Sequence, residues 1–119
     1  MSSEMLSKYF SIKECSCHCC GQSQMSPVFM LRLDKAREDS GIPWGIVSAY
    51  RCEQHDKEVN GEGNHPTGEA ADIASNNSTT RFKVITSLMK MGFKRIGIGK
   101  TFIHVDSVEN RPQNVIWLY

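Results

Sequence analysis

The chain has 119 residues, a formal net charge of +1, 39% hydrophobic residues and 23% charged residues. This length predicts a single domain over residues 1–119, in which residues 1–25 form a cysteine-containing N-terminal segment. Since lysine and arginine are not clustered, the charge pattern argues against a nucleic-acid partner and a polybasic membrane anchor. No segment resembles a signal peptide, and none has the run of about 20 apolar residues that a membrane span needs. We therefore expect a soluble chain that is cytoplasmic as synthesised.

A first helix is predicted after the cysteine-containing segment. Ser26 is a suitable N-cap, Pro27 suits the first helical position, and Gly41 suits the exit. The residues that share its inner face at helical spacing are Phe29, Leu33 and Ala36.

The middle of the chain predicts two strands joined by a long connection. The apolar run from Trp44 to Tyr50 is typical of a strand that ends near polar Ser48 and Arg51. Closely spaced glycines, asparagines and a proline in residues 52–68 predict a mostly irregular connection. Residues 69–74 then resume as a strand of small residues.

A second helix and three further strands complete the predicted elements. The helix has hydroxyl N-cap candidates (Ser78, Thr79, Thr80), an expected inner face (Phe82, Ile85, Met89) and a stop at Gly92. Alternation in the last third predicts three short strands, for which a meander is one arrangement. The predicted fold is a small α+β domain with two main helices packed on a mostly antiparallel sheet.

Two segments carry imidazole and carboxylate groups. His65 and Asp72 alone are weak evidence for a site, because a loop histidine is more often solvated. Strand alternation, however, points His104 and Asp106 to one face, and three such groups are the ligand set of a catalytic zinc. A structural ion pair of His104 and Asp106 around Val105 is the alternative. Arg51 lies at a strand end. It is either a solvated charge or a group that binds a carboxylate through two hydrogen bonds.

The five cysteines are the compositional anomaly. They are Cys15, Cys17, Cys19, Cys20 and Cys52. Clustering without an export signal favours reduced thiols or metal binding over a disulfide framework. The four clustered cysteines are tightly spaced, and no second Cys-x2-Cys pair follows them. Three interpretations stay open: a structural zinc site, plain thiols, and a segment that pairs with or lies beside Cys52. His55 is interpreted as structural or solvated and is left outside the site.

Three motifs follow one another in an order that resembles one peptidase family. They are Ser-Ala-Tyr-Arg at 48–51, the Gly63 to Asp72 segment around His65, and Phe-Ile-His-Val-Asp at 102–106. The chain resembles the zinc D-alanyl-D-alanine carboxypeptidases, a family that includes phage endolysins and shares its fold with the hedgehog signalling domain. Since the N-terminal segment and first helix fit as well, a small phage or prophage member is indicated.

The resemblance implies a site. His65, Asp72 and His104 would bind Zn²⁺, and Arg51 would hold a substrate carbonyl or carboxylate, with Ser48 beside it. The small residues Gly68 and Ala70 fit a loop backbone that passes close to the metal.

One position departs from the family pattern. Many members carry an acid three residues before the last histidine ligand as general base, and Thr101 stands there. Asp106 is then the candidate catalytic base, or else an outer-shell group that orients His104, or a metal ligand itself. The missing serine at position 63 is expected to matter little.

The implied function is zinc-dependent hydrolysis of peptide bonds in peptidoglycan stem peptides by a metal-activated water, as a carboxypeptidase or an endopeptidase. We expect a monomer that could reach the cell wall by a separate release route. The alternative is a non-catalytic zinc-binding recognition module of the same fold, which the missing acid at position 101 favours. A third reading, a redox or metal-storage protein built on the cysteines, predicts metal loss when Cys17 or Cys19 is replaced.

Overall fold

The computed structural model describes residues 4–119, and the predicted α+β fold is confirmed in that part of the chain. The elements are α1 (Pro27–Ser40), β1 (Ile46–Ser48), α2 (Glu53–Glu58), a 3₁₀ turn (His65–Thr67), β2 (Ala70–Ala74), α3 (Ser78–Lys90), β3 (Arg95–Ile98), β4 (Phe102–Asp106) and β5 (Val115–Leu118). Within these residues no helix is long and apolar enough to cross a membrane.

Helix α1 follows the local signals in the sequence. Ser26 Oγ accepts a hydrogen bond from the Phe29 amide at 3.3 Å, Pro27 opens the helix, and Gly41 ends it with a left-handed φ of 71°. The three residues of the predicted inner face, Phe29, Leu33 and Ala36, are buried. The prediction for this helix is therefore confirmed.

The sheet has the strand order β1-β2-β4-β3-β5, and it is mostly antiparallel as predicted. Strand β4 is central and pairs antiparallel with both β2 and β3. Strand β5 instead runs parallel to β3, so the last three strands do not form a meander. Residues 107–114 carry the chain from the end of β4 across to the outer edge of β3, and this crossover makes the parallel pairing possible.

Helix α3 lies where it was predicted, but it is rotated relative to the expected face. The side chains of Phe82 and Met89 are 72% and 55% exposed, whereas Val84 and Leu88 are fully buried. Its N-cap is Asn77, whose Oδ1 accepts from an amide one turn later, so the three hydroxyl residues lie inside the helix. Packing of α3 against α1 selects the stripe that contains Val84 and Leu88.

The connection between β1 and β2 is more regular than the sequence indicated. It holds the six-residue helix α2 and the 3₁₀ turn that begins at His65. Cys52 Sγ caps α2 by accepting from the His55 amide at 3.4 Å. The prediction of a mostly irregular segment is wrong because a cysteine cap is not among the usual sequence signals for a helix start.

Candidate metal centre

The three predicted metal ligands meet at one point above the sheet. The β2–β4 register places Asp72 opposite His104, and the 3₁₀ turn delivers His65 to the same place. His104 Nδ1 lies 2.8 Å from Asp72 Oδ1, and His65 Nε2 lies 3.5 Å from Asp72 Oδ2. One ligand atom from each side chain lies within 4.8 Å of the other two, which is close enough for a shared ion.

His65 is held in one orientation by the backbone before α2. Its Nδ1 lies 2.6 Å from the carbonyl oxygen of Ala49, so the Nδ1–H donates to that carbonyl and Nε2 points toward Asp72. The imidazole is buried and packs edge-on against His104, with ring centroids 5.3 Å apart. The turn therefore presents one defined nitrogen of His65.

Asp106 lies on the opposite side of His104 from Asp72. Its Oδ2 is 2.7 Å from His104 Nε2, while its Oδ1 accepts from Arg95 Nε at 2.6 Å and from the Val108 amide at 3.1 Å. Asp106 has no solvent exposure, and Arg95 lies over the ring of Trp117. Both carboxylate oxygens of Asp106 are thus engaged in holding His104 and Arg95.

The carboxylates of Asp72 and Asp106 on either side of His104 favour a positive charge at this site. Burial alone would raise the pKa of Asp72, but hydrogen bonds from His104 and His65 outweigh burial and hold this pKa well below its usual range. Burial likewise opposes a charged His104, yet the carboxylates of Asp106 and Asp72 raise its pKa. The metal-free site thus stabilises positive charge beside Asp72.

The three side chains open onto a cavity of about 340 Å³. Its other lining residues are Arg51, Val59, Asn60, Gly61, Glu62, Asn64, Phe102 and Tyr119. Asp106 is outside the described lining and borders a separate cavity of about 410 Å³ against α1. The edge of the His104 ring that carries Nδ1 is therefore the edge toward the cavity that Asp72 also lines.

Arg51 reaches the cavity from the loop after β1. Its Nη1 is 3.3 Å from Asp56 Oδ1 and its Nη2 is 3.8 Å from Asp72 Oδ2. Arg51 Nε and the Asn64 side-chain oxygen are buried and have no hydrogen-bond partner within residues 4–119. Both residues line the cavity, so its wall contains a buried donor and a buried acceptor that lack partners.

The other residues singled out by the sequence lie at the margin of the site. Ser48 lies opposite Asp72 in the β1–β2 register, outside the described cavity lining, so its substrate-binding role stays a prediction. Thr101 is exposed and is also outside that lining. Ala70 lies opposite Asp106 in the β2–β4 register.

The reason for glycine at position 68 differs from the expected clearance around a metal. Gly68 has a left-handed φ of 77°, and a Cβ there would overlap the carbonyl oxygen of Gln24. Its own carbonyl accepts from the Ser26 amide at 2.8 Å. Gly68 therefore allows the loop to lie directly against the segment that precedes α1.

Several residues at the site escaped sequence reasoning. Arg95 faces Asp106 across the β3–β4 pairing, and only a correct strand register would have revealed that pair. Asp56 lies in the short helix α2 and accepts from the Gly63 amide, so it ties the loop to Arg51. Glu62 and Tyr119 line the cavity from a loop and from the last residue, where the sequence carries no recognisable signal.

The cysteines fall into separate environments. Cys15 is fully buried, and burial raises the pKa of its thiol to about 12. Burial also opposes ionisation of Cys17, but hydrogen bonds from the backbone of Cys52, Cys20 and Cys19 lower its pKa to about 6. The thiol of Cys52 lies beside that of Cys17, and all five cysteines are free.

Comparison with known protein families identifies a match over most of the chain. A family model described as Peptidase M15 matches residues 5–106, a span that contains His65, Asp72 and His104. No curated protein matches the chain significantly. Because the family match covers most of the sequence and all three candidate ligands, this chain belongs to the peptidase M15 family of zinc peptidases.

Proposed function

We propose that this protein is a zinc-dependent peptidase that hydrolyses peptide bonds in peptidoglycan stem peptides, as a carboxypeptidase or an endopeptidase. The observation that carries the proposal is the convergence of His65, Asp72 and His104 on a cavity that also contains Arg51. Family membership supports the peptidase activity. The peptidoglycan substrate, action as a monomer and release to the cell wall by a separate route follow from the motif resemblance and are part of the proposal.

The residues present fit a zinc ion. His65 Nδ1 is occupied by a backbone carbonyl and His104 Nε2 by Asp106, so each imidazole directs its other nitrogen toward Asp72. Such outer partners fix the tautomer and orientation of metal-binding histidines. Two imidazoles and one carboxylate are a common catalytic ligand set, and zinc bound there supplies a Lewis acid and lowers the pKa of a coordinated water to about 7.

Arg51 is proposed to bind the substrate. Its side chain is 12% exposed, and the buried Nε has no partner in the described part of the chain. The ion pair with Asp56 positions the guanidinium at the cavity. A planar guanidinium in this position can donate two hydrogen bonds to a substrate carboxylate or to the oxygen that becomes negative during hydrolysis.

Proton transfer is proposed to fall to Glu62, with Asp106 as the group that positions His104. Asp106 is fully buried, and both of its oxygens already accept hydrogen bonds. Glu62 is an exposed carboxylate in the cavity lining, where Asp72 is the other acidic residue described. A general base must reach the proton that it abstracts, and an exposed loop carboxylate at the cavity meets that requirement better than a buried one.

The test combines metal analysis with turnover of purified muropeptides. The His65→Ala variant is expected to lose the zinc of this site and all hydrolysis, while His18→Ala, at an exposed histidine outside the cavity, keeps both. Full zinc retention by His65→Ala would contradict the proposed site.

A non-catalytic recognition module is the second candidate. It is favoured by the exposed Thr101 in place of the usual acid and by the engagement of Asp106 in a buried ion pair. If zinc-loaded parent protein binds muropeptides without turning over any of a panel with different stem lengths, the module is the better description. Turnover of any member of that panel excludes it.

A further inference from the structure

A second group of candidate metal ligands lies where the N-terminal segment meets α2. The thiols of Cys17, Cys20 and Cys52 come within 4.8 Å of one another, although Cys52 is 35 positions from Cys17 in sequence. Cys17 and Cys20 have the Cys-x2-Cys spacing that is typical of zinc knuckles. This group is separate from His65, Asp72 and His104, and the peptidase site makes no use of it.

The sulfur spacing matches a shared metal ion. Cys17 Sγ and Cys52 Sγ are 3.7 Å apart. In a tetrahedral zinc site with Zn–S bonds of about 2.3 Å, two sulfurs are separated by roughly 3.8 Å. A disulfide would require about 2.05 Å. The two cysteines are thus held at the edge length of a zinc–thiolate tetrahedron.

The surrounding backbone is arranged like a metal-binding turn. The Cys52 amide donates to Cys17 Sγ at 3.4 Å, and the His55 amide donates to Cys52 Sγ at 3.4 Å. Residues 17–22 close on themselves, because the Cys17 amide donates to the Gln22 carbonyl at 2.7 Å and the Gly21 amide donates to the Cys17 carbonyl at 2.8 Å. Amide donors aimed at sulfur stabilise the thiolate form that binds metal.

Cys19 is the remaining cysteine of the Cys17–Cys20 motif and the candidate for a fourth thiol ligand. Its side chain is exposed, and it adjoins Cys20 in the chain beside the group of three sulfurs. Cys19 also lies within 4.8 Å of donor atoms of His55 and Glu58, so the cluster continues onto α2.

We propose that Cys17, Cys19, Cys20 and Cys52 bind a second, structural zinc ion that joins the N-terminal segment to the start of α2. Residues 49–51, which immediately precede Cys52, include the Ala49 carbonyl that orients His65 and the guanidinium of Arg51. The Tyr50 amide also donates to the Cys15 carbonyl at 3.1 Å. The cysteine zinc therefore stabilises the backbone that positions the peptidase site, and this coupling rests on the proposed function.

The first test counts zinc in purified protein and in three variants. The parent is expected to hold about two zinc ions per chain, and His65→Ala and Cys52→Ser about one each. Cys15→Ala is the matched control, because Cys15 is a buried cysteine of the same segment outside the cluster, and it is expected to keep both ions. Zinc-edge X-ray absorption on His65→Ala should then show a shell of sulfur only.

The fourth ligand is tested separately. Cys19→Ser should weaken zinc binding in the His65→Ala background, whereas His55→Ala should leave it unchanged. The opposite result overturns the assignment of Cys19.

A measurement on the parent chain covers the case in which Cys52→Ser fails to fold. Cobalt added to metal-free parent protein should produce thiolate-to-cobalt charge-transfer absorption, and a mercurial reagent should release only the cysteine-bound zinc. Absence of both signals, a non-sulfur shell in His65→Ala, or a non-reducing peptide map that shows a Cys17–Cys52 disulfide would overturn the proposal. These readouts need no substrate, so they are independent of whether the peptidase proposal succeeds.

Discussion

His104 lies between two aspartates, with Asp72 Oδ1 2.8 Å from its Nδ1 and Asp106 Oδ2 2.7 Å from its Nε2. The two carboxylates have different environments. Asp72 lines the cavity, whereas Asp106 is fully buried and paired with Arg95. One aspartate is therefore placed to bind metal with His104, and the other to hold the ring in position.

Replacing Asp106 with Asn tests whether it positions His104 or acts as the base. A positioning role predicts zinc affinity weaker by about 10–100-fold, with hydrolysis that recovers as zinc is added. Zinc competition titration and turnover at several zinc concentrations measure both quantities. Glu109→Gln, at an exposed acid three residues away, is the control. Unchanged zinc affinity with lost turnover at every zinc concentration would identify Asp106 as the base instead.

Replacing Arg95 with Met should destabilise the protein. It leaves Oδ1 of the buried Asp106 without the guanidinium that pairs with it, and breaking one side of a buried pair costs about 3–5 kcal/mol of unfolding free energy. Denaturant unfolding of metal-free protein gives this value. Lys94→Met, at the exposed neighbouring position, should change stability by less than about 0.5 kcal/mol. Equal effects of the two variants would refute the structural importance of the Arg95–Asp106 pair.

Replacing Glu62 with Gln should reduce kcat by about 10²–10⁴-fold, because it removes the proposed general base. Zinc content should not change, since Glu62 is outside the group of candidate ligands. Steady-state kinetics with metal analysis on the same sample provides the measurement. Glu53→Gln, an exposed acid in the first turn of α2, should behave as the parent does. A Glu62→Gln variant with parental kcat would remove Glu62 from the mechanism.

Replacing Arg51 with Lys keeps the charge but loses the planar pair of donors. Turnover is expected to fall on the order of 10²–10³-fold if Arg51 stabilises the developing oxyanion. The ratio kcat/KM and the zinc content are measured together, with Arg81→Lys on α3 as the control. Parental kcat with a raised KM would instead assign Arg51 to ground-state substrate binding.

Replacing Gly68 with Ala should cost more stability than the same change at Gly41. Both glycines have left-handed φ angles, of 77° and 71°, and this conformation alone costs an alanine about 1–2 kcal/mol. Only at Gly68 does the added Cβ meet backbone, at the Gln24 carbonyl. The difference in unfolding free energy between the two variants, measured with denaturant, gives the cost of the overlap with the Gln24 carbonyl. Equal destabilisation would show that this overlap has no cost.

Local signals made much of this protein predictable. Helix α1 could be predicted from its cap and exit residues, because capping depends on groups within a few positions. His65, Asp72 and His104 could be selected because the ordered motifs resemble those of a zinc peptidase family, and the structure brings the three side chains together. The alternation in residues 102–106 correctly placed His104 and Asp106 on one side of β4.

Tertiary structure decided the features that depend on partners distant in sequence. The inner face of α3 is set by α1, the parallel pairing of β5 requires a crossover, and the Arg95–Asp106 pair exists only in the observed register. The cysteines of one short motif meet Cys52 for the same reason. Sequence by itself determined which side chains could bind zinc. The tertiary structure decided which nitrogen of His104 faces the cavity, because only packing places one aspartate on each side of its ring.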